Sequence, residues 1–232
     1  MRRGIGIIAA VMLVAGAAGC GGGDNAATDG QTVASTQAAS TATTTPGSDE
    51  TSATSSTSTC SAITDGTTEG PYYVTGTAAL TDANLNYDAL PGETITIADY
   101  VYSGSDKATP LANAVVDIWH ADGSGAYWPQ ENGPAGRYTA DQLSLRGHVV
   151  TDASGYYRFT TIFPGEYEGR ARHIHVRASS ADGGQDVITQ LIMSRDETPA
   201  ANDSIAQSLP PCHTMTFTTI NGASTAFFDF HL

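Results

Sequence analysis

Short stretches of β-branched and aromatic residues, many alternating between apolar and polar positions, are separated by turn residues along most of the chain. This two-residue period is typical of strands. The predicted strands are Thr94–Ile97, Ala114–Trp119, His148–Val150, Tyr156–Thr160, His173–Ala178, Val187–Met193, Met215–Thr218 and Phe227–Leu232. Asp152–Gly155 predicts a hairpin turn, and Ala200–Ser208 predicts at most two turns of helix. Regularly spaced short strands without long helices predict an all-β domain, a β-sandwich.

The first 20 residues have a different pattern. Two arginines precede the apolar run Ile5–Ala18, and small residues lead from it to Cys20. This order resembles a bacterial lipoprotein signal, in which Cys20 becomes the lipidated first residue. Ala17 stands where that pattern usually has Leu, and an ordinary signal cleaved near Gly19 is the alternative. The run is shorter than the ~20 apolar residues of a spanning helix, so we expect an exported bacterial protein, lipid-anchored outside the cytoplasmic membrane or otherwise at the cell surface or in the periplasm.

Composition divides the remainder of the chain in two. Residues 21–59 contain almost no large apolar side chain, so they cannot bury enough surface to offset the entropy lost on ordering, and a disordered tether is predicted. Residues 60–232 are long enough to enclose one core. The formal net charge of −14 argues against a nucleic-acid partner, because such binding depends on Lys and Arg.

The three cysteines fit this division. If Cys20 carries the lipid, Cys60 and Cys212 remain, one near each end of the predicted domain. Two cysteines outside the cytoplasm most simply form a disulfide, and closing so long a loop would contribute ~4–5 kcal/mol in the chain-entropy model. Two buried thiols are the alternative.

Candidate metal ligands are concentrated in residues 161–177. His173 and His175 share one face of a predicted strand, while the apolar residues between and after them point the other way. Tyr167 follows a Pro-Gly pair that can turn its phenol toward the histidines. Two imidazoles and a phenolate suit trivalent iron better than zinc or calcium, although a single His-x-His motif is often only exposed or hydrogen-bonded.

A second stretch, residues 111–128, leads from a predicted strand into a Gly-rich loop, where scaffolds commonly present functional groups. It contains a second candidate phenol, Tyr127, whose alternative role is core packing, and His120 and Asp122, which could be plain loop residues. Four basic side chains near the first stretch concentrate positive potential for an anionic substrate: Arg158, Arg170, Arg172 and Arg177.

Several motifs follow one another in a fixed order between Thr68 and Met193. They are Thr68-Glu-Gly-Pro-Tyr-Tyr73, Asp117-Ile-Trp-His-Ala121 with Gly125-Ala-Tyr127, Arg146-Gly147, Thr151-Asp-Ala-Ser-Gly155, Phe159-Thr-Thr-Ile-Phe-Pro-Gly-Glu-Tyr167 with Arg170, His173-Ile-His175, and Thr189-Gln-Leu191. Together they resemble the intradiol ring-cleavage dioxygenases, the family of protocatechuate 3,4-dioxygenase and the catechol 1,2-dioxygenases. The resemblance implies a transthyretin-like β-sandwich. The long helical segment that precedes the catalytic domain in catechol 1,2-dioxygenases is not expected here, so the chain looks closer to compact, exported members.

The resemblance also implies residue roles. It makes four residues ligands of a non-heme Fe(III): Tyr127 and His173 equatorial, Tyr167 and His175 axial. A catechol would bind as a bidentate dianion, displace Tyr167 and be opened by O2 to a cis,cis-muconate-type diacid. Further implied site residues are Arg170, which would stabilise charge on the ring, Gln190 beside it, and Pro71 and Tyr72, which would line the substrate pocket. A surface ion pair is the alternative for Arg170, and packing for the last two.

The turn between Tyr167 and Arg170 is only Glu168-Gly169, shorter than in the protocatechuate enzymes. Glu166 and Glu168 flank Tyr167, and their carboxylates would repel a carboxylated catechol. The preferred substrate is therefore expected to be a neutral catechol or an alkylated or hydroxylated relative. Two other classes stay open, a non-catalytic surface module and a zinc hydrolase that adds His120 or His148 to the His-x-His pair. The preferred catechol and the oligomeric state do not follow from the sequence.

Overall fold

The computed structural model describes residues 62–193 and 202–232, which belong to one compact unit spanning Ala53–Leu232. The predicted export signal with Cys20, the tether at residues 21–59 and Cys60 lie outside the described residues. The lipid anchor and the pairing of Cys60 with Cys212 therefore stay predictions. No helix in the described part of the chain is long and apolar enough to cross a membrane.

Strands dominate the described residues. They are β1 (Val74–Thr75), β2 (Thr94–Tyr102), β3 (Val115–Trp119), β4 (Gly133–Pro134), β5 (Arg146–Val150), β6 (Tyr156–Ile162), β7 (His173–Ser179), β8 (Asp186–Met193), β9 (Thr214–Met215), β10 (Thr218–Ile220), β11 (Ala223–Phe227) and β12 (Phe230–His231). Within the described residues, the helical content is one short helix, α1 (Ser204–Ser208), and single 3₁₀ turns at Ala135–Arg137, Ala140–Gln142 and Pro211–His213. The predicted all-β class is confirmed.

Two five-stranded sheets pack face to face. One has the order β5-β3-β7-β8-β9; in the other, β2 pairs with β6 on one edge and with β11 and β12 on the opposite edge, and β10 lies beyond β11. Strands β1 and β4 form a separate parallel pair. A single apolar cluster between the sheets includes side chains from both, among them Ile95, Ile97, Val116, Ile118, Ile174 and Val176. This is the predicted β-sandwich.

The predicted strands are present with shifted ends, and two of them are interrupted. The segments predicted as Met215–Thr218 and Phe227–Leu232 are each divided between two short strands, β9 with β10 and β11 with β12. The hydrophobic pattern does not reveal such short breaks, because the residues on both sides of each break continue the alternation expected of a single strand.

The hairpin prediction at Asp152–Gly155 is wrong. The turn itself forms, since the Gly155 amide donates to the Asp152 carbonyl at 3.0 Å, but β5 pairs with β3 and β6 pairs with β2. Val149 of β5 and Tyr157 of β6 pack into the core from two different sheets. The turn therefore carries the chain from one sheet to the other, and packing between the sheets selects the partner of each strand.

Strand β7 has two faces with different chemistry. Ile174, Val176 and Ala178 are fully buried between the sheets, as the alternation predicts. His173 and His175 project from the opposite face and are still only 4 % exposed each. Loops must therefore cover this outer face of the sheet, and the candidate site lies beneath them.

Candidate metal centre

Strand register sets four side chains in one row across the outer face of the β5-β3-β7-β8-β9 sheet. His175 lies between its register partners Trp119 of β3 and Gln190 of β8, and Arg146 of β5 is the next partner of Trp119. Residues directly opposite on neighbouring strands project from the same face. The Trp119 ring stacks on the His175 ring with centroids 5.0 Å apart and planes 10° apart. This row forms the floor of the site.

Two glycines allow the loops that carry the candidate phenols to touch through their backbones. A Cβ on Gly125, whose φ is +91°, would lie 2.0 Å from the carbonyl oxygen of Glu166, and a Cβ on Gly165 would lie 2.3 Å from the Gly125 nitrogen. Any larger residue would push the loops apart. With glycine there, the rings of Tyr127 and Tyr167 stand perpendicular with centroids 5.2 Å apart.

The four predicted ligands converge in this space. The Nε2 atoms of His173 and His175 are 3.1 Å apart, and the Tyr127 hydroxyl is 3.3 Å from His173 Nε2. Tyr72 connects the phenols, because its ring stacks on Tyr127 at 4.4 Å and its hydroxyl lies 2.9 Å from that of Tyr167. The structure thus gathers residues from three separate parts of the sequence.

Burial sets the protonation states of these groups. It lowers the pKa of His173 to about 4 and the pKa of His175 well below its ordinary value, so both imidazoles are neutral at pH 7. His173 Nδ1 lies 2.6 Å from the Ala171 carbonyl oxygen; donating to that acceptor leaves Nε2 free to bind a metal. Burial raises the pKa of both Tyr127 and Tyr167, so a bound cation is needed to keep them as phenolates.

This donor set fits a hard trivalent cation. Neutral imidazoles bind without losing a proton, and phenols release theirs on metal binding, as metal ligands generally do. In the part of the chain that the structure describes, no three His, Cys, Asp or Glu side chains are grouped to hold a metal. The groups that lie within 3.3 Å of His173 Nε2 are His175 Nε2 and the Tyr127 hydroxyl, a combination suited to Fe(III).

Arg170 is held rigidly beside this group. Its Nε donates to the Asp203 carboxylate at 2.7 Å and its Nη2 donates to Gln190 Oε1 at 2.8 Å. The Gln190 amide in turn donates to the Thr68 carbonyl at 3.3 Å. The predicted association of Arg170 with Gln190 is present, and the ion pair that was the alternative role for Arg170 is present too, although its acid is buried rather than on the surface.

The other predicted basic residues lie elsewhere, which corrects the expectation of a shared positive patch. Arg158 is exposed on β6 in the opposite sheet. Arg177 pairs with Asp186 at 2.9 Å, and Arg172 donates to the Pro164 carbonyl at 3.2 Å. Of the four arginines, Arg170 is the one with hydrogen bonds to Gln190 and Asp203, and the other three do not form the shared patch that was expected.

The residues considered for a zinc hydrolase are engaged in other contacts. The two ring nitrogens of His120 lie 2.7 Å from a backbone carbonyl and 2.7 Å from the Thr161 hydroxyl. His148 is the register partner of Asp117, in the neighbouring row. Asp122 accepts hydrogen bonds from Ser124, Ala126 and Trp128 within its own loop. These contacts disfavour the zinc alternative.

Of the two predicted pocket residues, Tyr72 is at the site and Pro71 is exposed beside it. Three residues at the site were not assigned a role from the sequence. Trp119 and Arg146 reach it through strand register, which the sequence does not show. Asp203 caps α1 through the amides of Ile205 and Ala206; an Asp before a short helix signals an N-cap, but not the link to Arg170.

Comparison with known proteins gives a consistent result. A family model described as a dioxygenase, Dioxygenase_C, matches residues 68–231. Catechol 1,2-dioxygenase 2 of Acinetobacter lwoffii is 32 % identical over 151 residues, which cover 56 % of this chain and 51 % of that protein. The protocatechuate 3,4-dioxygenase beta chain of Burkholderia cepacia is 31 % identical over 126 residues, covering 51 % of this chain and 52 % of the relative. The chain spans about half the length of these curated relatives.

A solved structure resembles the chain over more of its length. The dioxygenase domain of a dioxygenase carbohydrate-binding protein fusion from Streptomyces sp. SirexAA-E matches with a TM-score of 0.58 and 30 % identity, covering 73 % of this chain and 97 % of that one. The family model covers more than half of the chain, and the sandwich and the order of the motifs agree with it. The chain therefore belongs to the intradiol ring-cleavage dioxygenase family.

Proposed function

We propose that this protein is a non-heme Fe(III)-dependent dioxygenase that opens a catechol ring between its two hydroxylated carbons with O2, giving a cis,cis-muconate-type diacid. The observation that carries the proposal is the convergence of two imidazole Nε2 atoms 3.1 Å apart with the Tyr127 hydroxyl, and with Tyr167 beside them. Relatives named for catechol and protocatechuate support the substrate class.

Tyr127, Tyr167, His173 and His175 would hold the iron. When bound, Fe(III) supplies a Lewis acid that holds the two catechol oxygens and draws charge from the ring. Tyr127 is 2 % exposed beneath Tyr72, so it is placed to stay a ligand. Tyr167 is half-buried and hydrogen-bonded to Tyr72, so it is placed to leave and to take up a substrate proton on its phenolate oxygen.

Arg170 would stabilise negative charge on the substrate. Burial is the main cause of the pKa shifts of Tyr127, His173 and His175, and the charge of Arg170 adds a smaller effect that lowers the pKa of each. Because Asp203 and Gln190 already fix the guanidinium, little reorganisation is needed during reaction, which is the condition for effective electrostatic stabilisation.

Substrate choice and location complete the proposal. Burial is the main cause that raises the pKa of the Tyr167 phenol, and Tyr72 and Glu168 raise it further. A carboxylate at Glu168 favours a neutral catechol, or an alkylated or hydroxylated relative, as the substrate.

We place the enzyme outside the cytoplasm, anchored through Cys20 and closed by a Cys60–Cys212 disulfide, with O2 and a catechol as its small-molecule partners.

The proposal predicts that the purified protein contains near-stoichiometric iron and is red to brown, because phenolate-to-Fe(III) charge transfer absorbs visible light. Elemental analysis and a visible spectrum test this, with the Tyr127→Phe/Tyr167→Phe double variant as a colourless control. A colourless protein with near-stoichiometric zinc would contradict the proposal. A non-catalytic surface module, the competing interpretation, would bind its partner equally well without either phenol.

A further inference from the structure

Arg146 ties together two segments that meet over the site. Its side chain is buried, with the residue 3 % exposed. Its Nε donates to the Trp128 carbonyl, its Nη1 donates to the Tyr72 carbonyl, and its Nη2 donates to the Pro129 carbonyl at 3.2 Å. One guanidinium thus joins the Tyr72 segment, residues 70–73, to the loop that follows Tyr127.

The segments that Arg146 joins carry the two stacked rings of the site. The Tyr72 ring lies on Tyr127 with centroids 4.4 Å apart and contacts Tyr167 through its hydroxyl. If the Tyr72 carbonyl lost its donor, the backbone that aims this ring would lose a fixed attachment to the loop. The planar fork of an arginine can hold several carbonyls at once, which a lysine ammonium cannot reproduce with the same geometry.

The second notable feature of Arg146 is its buried positive charge. Burial lowers its pKa to about 10, so the group remains a cation at neutral pH. Within residues 62–193 and 202–232, the acceptors of its hydrogen bonds are carbonyl oxygens, and no carboxylate forms an ion pair with it. A buried charge without a counter-ion is costly, which points to an anion that forms when the site is loaded.

The nearest candidate for that anion is the Tyr127 phenolate. The guanidinium carbon of Arg146 lies 5.9 Å from the Tyr127 ring centroid, so a phenolate formed at Tyr127 would lie next to a buried cation. Tyr167 has a different setting, because its hydroxyl lies 2.9 Å from the Tyr72 hydroxyl and the acidic Glu168 is the next residue in the chain. The two phenols therefore have opposite electrostatic neighbours.

We propose that Arg146 is a positioning residue of the metal centre: its buried fork fixes the Tyr72 segment over the site, and its charge is the permanent counter-ion of the Tyr127 phenolate. This inference rests on the proposed function, because it assigns Tyr127 to a bound Fe(III). It also explains how two chemically identical side chains take different roles, one retained and one displaceable.

The test compares Arg146→Met, which removes charge and fork, with Arg146→Lys, which keeps the charge but not the fork. Arg158→Met is the matched control, an exposed arginine on the other sheet. Each iron-loaded protein is measured for its charge-transfer spectrum, its rate of iron loss to a chelator, its melting temperature, and kcat and KM for catechol. In Arg146→Met we expect a band shifted to longer wavelength, since a nearby cation stabilises the phenolate donor orbital, and iron affinity lowered by about 10–100-fold, as for other outer-shell partners.

In Arg146→Lys we expect the band and the iron retention to stay close to those of the parent, while KM rises because the Tyr72 segment is less firmly held. A purely structural role would lower the melting temperature of both variants and leave the band and KM unchanged, which would overturn the proposal. If Arg146→Met does not fold, Arg146→Lys decides alone: a raised KM with the parental band supports the proposal, and an unchanged KM overturns it. A colourless, iron-free parent protein would instead defeat the proposed function.

Discussion

Tyr167→Phe is expected to slow catechol turnover by about 10²–10⁴-fold, the usual contribution of general acid–base assistance, while the protein keeps part of its iron and its colour. The reason is that Tyr167 is the half-buried phenol in contact with Tyr72, and its phenolate would accept a substrate proton when it leaves the metal. Single-turnover rates, iron content and the visible spectrum of the iron-loaded variant measure the effect.

Tyr127→Phe should behave differently, because Tyr127 is buried beneath Tyr72 and beside Arg146. Its loss removes a permanent ligand, so iron and colour should fall together with activity. Tyr156→Phe, which removes a phenol of β6 in the other sheet, is the matched control and should resemble the parent. Full colour and activity in Tyr127→Phe would show that the ligand assignment is wrong, even with family membership intact.

Arg170→Ala is expected to lose about 2.7–4 kcal/mol of transition-state stabilisation, or roughly 10²–10³-fold in kcat, if its charge acts like other preorganised donors to an oxyanion. Iron content and colour should persist, since Arg170 is not a ligand. The measurement is kcat and kcat/KM with iron content determined on the same samples.

Arg170→Ala also removes a partner of the buried Asp203 carboxylate, which would still cap α1 and accept the Ala171 amide. A lower melting temperature is therefore expected, and rates must be compared well below it. Arg177→Ala, which breaks the ion pair with Asp186, is the control for loss of an arginine. Turnover of Arg170→Ala at the parental rate would refute the catalytic role of this side chain.

The fold was predictable as far as alternation determines it. The pattern of β7 correctly separated Ile174, Val176 and Ala178 from the two histidines, because a strand presents alternate residues to opposite faces. The hairpin at Asp152–Gly155 was mispredicted, since turn chemistry describes a local reversal of the chain and not the neighbours of the strands on each side. Those neighbours are selected by long-range packing between the sheets.

Site residues could be predicted from the sequence where their spacing or a motif indicated that they lie together. His173 and His175 share a face because they are two residues apart, whereas the meeting of Tyr127 with Tyr167 depends on the close approach of Gly125 to residue 166. A glycine in a sequence shows that a close approach is allowed, without showing which backbone makes it. Arg146 and Trp119 join the row of His175 only through register, so their roles became visible in the structure.

The most direct test of the central claim is the reaction of the iron-loaded protein with catechol under ¹⁸O2, with oxygen uptake and the mass of the product measured together. The proposed function requires that oxygen is consumed in equal amount to catechol and that the product is a cis,cis-muconate-type diacid carrying both ¹⁸O atoms. An iron-containing protein that consumes no oxygen across a panel of catechols, or one that yields a semialdehyde from cleavage beside the two hydroxylated carbons, would contradict it.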